Sequence, residues 1–164
     1  MSKNLYPYCR FPTIQAEPTS RAVRGTDAVK NKLHDLCLER DKSIITIECY
    51  PGVNDAEILS LFPKAALIIH ADELAIAPAE LDAKIEHELT DDNVFGIMTT
   101  WRLLDFYPSE ALCAAQKKIN AVESGLVIVY GVGASLVTRG DVLIYADLTR
   151  WEVQLRFRKG QDNW

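Results

Sequence analysis

The stretch Gly125-Leu126-Val127-Ile128-Val129-Tyr130-Gly131-Val132-Gly133-Ala134-Ser135 decides the fold class of this sequence. An unbroken run of Val and Ile is typical of a strand covered on both faces, as in the parallel sheet of an α/β domain. The glycines that follow allow positive φ and let a ligand come close to the backbone. Because ligands of open α/β sheets bind at the carboxyl ends of strands, the turn with Gly131, Gly133 and Ser135 is a candidate ligand-binding turn. The alternative is that its glycines serve only a tight connection to the next strand.

Composition narrows the class of protein. The 164 residues are 48% hydrophobic, enough for one good core, so a single domain is expected. The net charge of -5 gives no overall indication of a nucleic-acid or anionic-membrane partner. No apolar run approaches the roughly 20 residues of a membrane span. The polar start Met1-Ser2-Lys3-Asn4 is not a signal peptide. We therefore expect a cytoplasmic protein without nucleic-acid or membrane partners.

Cysteine and histidine usage argues against a metal centre. The four cysteines are scattered and form no C-x-x-C pair, which favours idle thiols in a reducing cytoplasm over a disulfide framework or a zinc site. With only three histidines, a multi-histidine metal site is not expected either. The sequence therefore predicts no metal and no cofactor in this chain.

Helices and strands alternate along the chain after an irregular arm at residues 1–24. Helical spacing begins at Thr26, and buried strands are predicted at 44–47, 65–70 and 142–146. Asn54 with Glu57, and Thr149 with Glu152, have the spacing of capping boxes that open helices. Further helices are expected from Pro78 and after Ser109, which is predicted as the N-cap of the second helix, with Gly125 as its C′ residue; residues 89–100 remain ambiguous. This order predicts an α/β domain over 25–164 with a mainly parallel sheet.

The first strand ends in a turn that has the position of a phosphate-binding loop. A buried strand leads into Pro51-Gly52 and then into a helix N-terminus, whose free N–H groups favour an anion. The residues depart from the G-x-x-x-x-G-K-[ST] pattern, because Asn54-Asp55 occupy the lysine and hydroxyl places and Glu48 opens the loop. These carboxylates would repel a triphosphate by several kcal/mol. We expect no ordinary ATP binding, although Gly52 and Asn54 remain candidate contacts for a phosphate.

Asp72 is the candidate catalytic residue. It follows the second predicted strand at its carboxyl end, where a general base would lie. The alternative is a solvated acidic turn formed by Asp72 and Glu73.

The order of these parts resembles that of uridine-kinase-like P-loop kinases. The segments that carry the resemblance are Ile44–Gly52, Ile68–Glu73, Leu126–Gly131 and Leu143–Lys159. It implies a three-layer P-loop-kinase-like fold in which Ile44–Glu48 lies between Leu126–Tyr130 and Val142–Ala146. It also implies that Asp72 is the base that activates an acceptor hydroxyl, and that arginines of the last helix bind phosphate, namely Arg150, Arg156 and Arg158. The family's glutamate at the V-I-V-E-G strand end is replaced here by Tyr130.

A further resemblance is to the degenerate kinase-like domain that precedes the isomerase in some bacterial class I mannose-6-phosphate isomerase homologues. It rests on Glu48–Asn54, Leu89–Asp92, Val127–Leu136 and Tyr145–Gly160. It implies an N-terminal module of a longer chain, with the zinc belonging to an isomerase domain that these residues do not encode. The implied role is non-catalytic: the module binds a sugar phosphate, or the isomerase domain as its partner. The alternative is a nucleoside or sugar phosphotransferase that uses Asp72 as its base.

Overall fold

The computed structural model describes residues 22–37, 40–92 and 95–161. All but three residues of the arm predicted at 1–24 therefore lie outside the described residues. The rest forms an α/β domain around one parallel sheet, as the sequence predicts.

Four strands make the sheet within the described residues: β1 (Lys42–Cys49), β2 (Leu67–His70), β3 (Gly125–Gly131) and β4 (Val142–Ala146). Their order is β2-β3-β1-β4, and every neighbouring pair is parallel. The prediction that β1 lies between β3 and β4 is confirmed. Because all four strands run the same way, the ends of β1 and β3 and the turns after them lie at one edge of the sheet.

Helices connect the strands and cover both faces. They are α1 (Thr26–Cys37), α2 (Asp55–Leu59), α3 (Pro78–Ile85), α4 (Ser109–Ala121), α5 (Ala134–Val137) and α6 (Arg150–Arg158). Short 3₁₀ turns cover Ala71–Leu74, Glu86–Glu88 and Leu103–Phe106. The described part of the chain contains no helix with the length and apolar character needed to cross a membrane.

Residues of β1 and β3 alternate between two cores, one on each side of the sheet. Ile45 and Ile47 join Ile128 in the core under α2. Val127 and Val129 face the other side, where they pack against α4 and α5. Both strands are covered on both faces, which explains why they consist of continuous apolar residues rather than an alternating pattern.

Two predicted helix starts are confirmed, whereas the predicted cap and the predicted end of α4 are wrong. The cap of α4 is Pro108, and Ser109 is its first helical residue. The side chain of Asn54 accepts a hydrogen bond from the Glu57 amide at 3.1 Å, and that of Thr149 accepts one from the Glu152 amide at 3.2 Å. Gly125 is not the C′ residue of α4, because that helix ends at Ala121 with Val122 as its cap. Gly125 is instead the first residue of β3, and its amide donates to the Asp41 carbonyl at 2.7 Å.

Candidate functional site

An open cleft of about 570 Å³ lies at the carboxyl ends of β1 and β3. The loop after β1, the first turn of α2, the start of the β3 turn and the end of α6 form its walls. Its lining comprises Cys49, Tyr50, Gly52, Val53, Asn54, Asp55, Ala56, Asp72, Gly131, Val132, Arg156, Gly160 and Gln161. This is the position at which open parallel sheets bind ligands.

The turn after β3 is filled by a carboxylate of the same chain. Glu48, near the end of β1, accepts hydrogen bonds from the amides of Gly133 and Ser135, both at 2.7 Å. Gly133 has a φ of +77°, which turns the backbone into α5. The predicted ligand-binding turn therefore has two of its amide donors occupied, and Glu48 stabilises this turn instead of guarding a phosphate loop.

Asp72 holds the same turn from the other side. Its Oδ1 accepts a hydrogen bond from the Val132 amide at 2.7 Å. A Cβ at Gly131, which has a φ of +111°, would lie 2.6 Å from that oxygen, so only glycine allows this approach. Asp72 also lines the cleft, so the residue predicted as a base lies at the site while one of its oxygens binds the backbone.

Tyr107 supports the turn from below. Its buried hydroxyl donates to the Val132 carbonyl at 2.6 Å, and a Cβ at Gly133 would lie 2.8 Å from its ring. Burial raises the pKa of Tyr107, and the carboxylates of Asp72 and Glu48 raise it further. The phenol therefore stays protonated and keeps its donor role over the whole ordinary pH range.

His70 joins the two carboxylates that flank the cleft. Its ring stacks on Tyr130 with centroids 4.6 Å apart and an interplanar angle of 1°. Its Nε2 lies 3.3 Å from Asp72 Oδ2 and 3.5 Å from Asp55 Oδ2, while Nδ1 lies 3.8 Å from Glu73 Oε1. The imidazole of His70 therefore lies between the carboxylates of Asp55 and Asp72 at the acidic side of the cleft.

Hydrogen bonds fix the loop after β1 at both of its ends. The amide of Val53 donates to the Tyr50 carbonyl at 3.1 Å, which closes a turn with Gly52 at a φ of +91°. The Asn54 side chain caps α2, and Asp55 follows with its side chain 46% exposed in the cleft. This loop therefore presents the half-exposed carboxylate of Asp55 to a ligand, beside the imidazole of His70.

Arg156 brings positive charge to the cleft. Its Nε donates to Glu152 Oε1 at 3.0 Å and its Nη1 to the Gly52 carbonyl at 3.2 Å, and Nη2 lies 3.7 Å from Glu57 Oε2. The side chain is 19% exposed. Arg156 therefore ties α6 to the loop after β1 and still reaches the ligand space.

The thiol of Cys49 lines the same cleft at the end of β1. Burial raises its pKa from 9.0 to about 11, an effect that a hydrogen bond with the Gly131 backbone partly opposes. The thiol is therefore protonated and a poor nucleophile at neutral pH. Among the described residues, no group of three or more His, Cys, Asp and Glu side chains is arranged to hold a metal ion.

The predicted site residues fall into three groups. Gly52, Asn54, Asp72, Gly131 and Arg156 all line the cleft. Glu48, Gly133 and Ser135 bind one another behind it. The exposed Arg150 and Arg158 lie outside the described lining, and the guanidinium of Arg158 is 5.8 Å from the Trp151 ring.

Three further site residues were not predicted. Asp55 occupies the hydroxyl place of the loop motif, a position that sequence reasoning treated only as a loss of ATP binding. His70 and Tyr107 carry no motif. The one signal for His70 is its place at a strand end, two positions before Asp72. The contact of Tyr107 with Val132 spans 25 positions and has no local signal.

Comparison with known proteins identifies a family. The family model described as a domain of unknown function, DUF8485, matches residues 25–164, so the chain belongs to this family. Neither a curated protein nor a solved structure matches the chain.

Proposed function

We propose that this member of the DUF8485 family is a non-catalytic binding module that holds a small phosphorylated sugar in the cleft at the ends of β1 and β3. One observation carries the proposal: the cleft is lined by one guanidinium, that of Arg156, and by two carboxylates, those of Asp55 and Asp72. A guanidinium binds the phosphate group, and carboxylates accept hydrogen bonds from the hydroxyl groups of the sugar. The resemblance to the module that precedes mannose-6-phosphate isomerases makes hexose 6-phosphates the first ligands to test.

Arg156 has the donors that a phosphate requires. A guanidinium carries five N–H donors, and the contacts with Glu152 and the Gly52 carbonyl use two of them. Glu57, whose side chain is 69% exposed, is an ion-pair partner at 3.7 Å that a phosphate can replace. Arginine binds phosphate through paired N–H···O contacts.

The two carboxylates suit the hydroxyl groups of a sugar. An ionised carboxylate only accepts hydrogen bonds, and its two oxygens can accept from two neighbouring hydroxyls. Asp55 is half exposed, and Asp72 is held in place by the Val132 amide. A preorganised acceptor binds more tightly than a mobile one because less conformational freedom is lost on binding.

The same charges count against a nucleotide triphosphate and against phosphoryl transfer. Phosphoryl transfer needs a loop backbone, a lysine and magnesium around the phosphates. Here Asn54 stands at the lysine position, and Arg156 is the only Lys or Arg among the described residues that line the cleft. The amides that could bind phosphate at the β3 turn are occupied by Glu48.

The competing function is a phosphotransferase with Asp72 as its base, which is favoured by the place of Asp72 in the cleft. The two functions predict different results with ATP. A binding module gives no saturable ATP–magnesium binding at millimolar concentrations and no turnover with common sugars or nucleosides. ATP turnover that disappears in Asp72→Asn would replace the proposal by the kinase.

Calorimetry tests the proposal with hexose 6-phosphates, the unphosphorylated hexoses, inorganic phosphate and ATP–magnesium. We expect the hexose 6-phosphates to bind more tightly than the unphosphorylated hexoses and more tightly than inorganic phosphate. Arg156→Gln should weaken this binding by about 1–3 kcal/mol, the range for a charged hydrogen bond. The matched variant Glu57→Gln should keep or strengthen it, because a competing carboxylate is removed. Equal binding by wild type and Arg156→Gln, or none by wild type, would contradict the proposal.

A further inference from the structure

A second surface of the molecule exposes many large apolar side chains. We call it the 95–104 surface, and its members are Phe95, Ile97, Met98, Trp101, Leu103 and Leu104. Phe95 is 72% and Met98 is 93% exposed, and the other four are between 37% and 60% exposed. Contiguous exposed apolar patches on soluble proteins mark sites of interaction.

The backbone under this surface is unusual for a compact domain. Apart from positions 93–94, which are outside the described residues, residues 89–102 form neither helix nor strand. Loops of this length without secondary structure are uncommon and are usually functional or linkers. The segment is nevertheless tied down, since the Ile97 amide donates to the Glu88 carbonyl at 3.0 Å and the Phe95 amide to Asp92 Oδ1 at 3.1 Å.

Acidic residues border the 95–104 surface. Glu86, Glu88, Asp91 and Asp92 belong to the stretch that these hydrogen bonds place against Phe95 and Ile97. Two cations are nearby. Lys84 lies 4.4 Å from the Trp101 ring centre and donates to the Asp105 carbonyl, and Arg102 is paired with the Asp105 carboxylate at 3.8 Å. The border thus has a net negative charge, and an occupant with apolar and basic residues complements it.

We propose that residues 1–21 of this chain bind the 95–104 surface. This segment has three basic residues against Glu17, namely Lys3, Arg10 and Arg21, and its apolar residues are Leu5, Tyr6, Tyr8, Phe11 and Ile14. Aromatic side chains with interspersed arginine are the composition that anchors protein interfaces. The segment can reach any part of the domain, because 21 residues span up to roughly 70 Å.

Charge also excludes the other large apolar surface as the docking place. That surface comprises Leu143 and Tyr145 of β4 with Trp151 and Phe157 of α6, all more than half exposed. Its neighbours include three cations, Arg150, Arg158 and Lys159, against the two carboxylates of Asp147 and Glu152, so it lacks the acidic excess of the 95–104 surface. A basic segment is repelled there and attracted to the acidic border of the 95–104 surface.

Photo-crosslinking in the full chain tests this inference. With p-benzoylphenylalanine in place of Phe11, we expect an intramolecular cross-link to the tryptic peptide 85–102, which is bounded by Lys84 and Arg102. Cross-links to peptides 140–150 or 151–156 would overturn the proposal. A product of twice the chain mass would also overturn it, because a second copy would then occupy the surface.

Charge reversal supplies the matched control. Glu86→Lys with Asp91→Lys should lower the yield of the cross-link at least threefold, because the border becomes repulsive. The yield is summed over the peptides 85–86, 87–91 and 92–102, which the two new lysines create on digestion. Glu110→Lys with Glu123→Lys makes the same charge change at two exposed positions, one in the first turn of α4 and one just after its end. This variant should leave the yield unchanged. An equal yield in the two variants would overturn the electrostatic basis of the proposal.

Discussion

The two glycine-containing turns at the carboxyl edge of the sheet differ in what satisfies them. In the turn after β3, the amides of Val132, Gly133 and Ser135 all donate to carboxylates of this chain. In the loop after β1, Asp55 keeps a half-exposed carboxylate in an open cleft. The two turns look alike in sequence, because in each a strand is followed within three residues by a glycine, Gly52 after β1 and Gly133 after β3. A strand end followed by glycine therefore indicates a place where an anion can bind, but the anion can be a residue of the same protein.

The comparison separates stability from binding. If the β3 turn is an internal contact, its residues should affect the free energy of unfolding. If the β1 loop is the binding wall, its residues should affect ligand affinity more than stability.

The largest loss of stability is expected for Glu48→Ala. Removing the carboxylate leaves the Gly133 and Ser135 amides without their acceptors, and hydrogen bonds to a charged group contribute about 1.5–3 kcal/mol each. Urea unfolding should show a decrease of about 3–5 kcal/mol in the free energy of unfolding. Glu123→Ala, at an exposed position, should change it by less than about 0.5 kcal/mol. A loss below about 1 kcal/mol for Glu48→Ala would show that the turn is stable without its anion.

Gly133→Ala should follow, with a loss of about 2–5 kcal/mol. The residue has a φ of +77°, and a Cβ there would lie 2.8 Å from the Tyr107 ring. The left-handed backbone costs about 1–2 kcal/mol, and the steric conflict in a packed site adds about 1–3 kcal/mol. Thermal and urea unfolding measure the sum.

Gly160→Ala isolates the backbone part of that loss. Its φ of +79° is nearly the same, but nothing lies within 4 Å of a Cβ there. We expect a loss of about 1–2 kcal/mol for this variant, the backbone cost alone. Equal losses at the two glycines would mean that the steric conflict between a Cβ at position 133 and the Tyr107 ring adds nothing to the loss of stability.

Such contacts mark the limit of what the sequence predicts. Local patterns in the sequence identify the strands β1, β3 and β4 by their apolar residues. They also identify the caps at Asn54 and Thr149, because each of these side chains bonds to an amide only three residues away. The predicted end of α4 was wrong because a glycine that follows a helix can also begin a strand, and Gly125 is the first residue of β3.

The site was predictable in position but not in its internal contacts. Parallel strands bring Gly52, Asp72 and Gly131 to one edge, and the sequence order alone implies this. The bonds from Glu48 to Gly133 and from Asp72 to Val132 join residues 85 and 60 positions apart. No local pattern reports which of two acidic residues faces the ligand and which binds the backbone.

Cys49, which lines the open cleft, is expected to make the free energy of unfolding depend on pH, with a smaller effect than the substitutions above. Its pKa is raised by burial from 9.0 to about 11, so above pH 9 the unfolded chain releases a proton that the folded chain keeps. This contribution to stability is complete below pH 9 and is lost as the pH rises to 11. Between pH 8 and 10 the wild type should lose about 1 kcal/mol more than Cys49→Ala. Parallel pH profiles of the two proteins would contradict the burial of this thiol.

The smallest effects are expected for Arg150→Ala and Arg158→Ala, which test whether the cleft extends along α6. Arg150 begins the helix, where a cation opposes the helix dipole, so its removal should leave stability unchanged or raise it by up to about 0.5 kcal/mol. Arg158 is in the last turn, near the Trp151 ring, and its loss should cost about 0.5 kcal/mol. Both lie outside the described lining of the cleft, so calorimetry with a hexose 6-phosphate should give less than a twofold change in affinity. A tenfold loss in either variant would place its guanidinium on the phosphate, as the kinase resemblance implies, and would extend to α6 as a whole the role that we propose for Arg156.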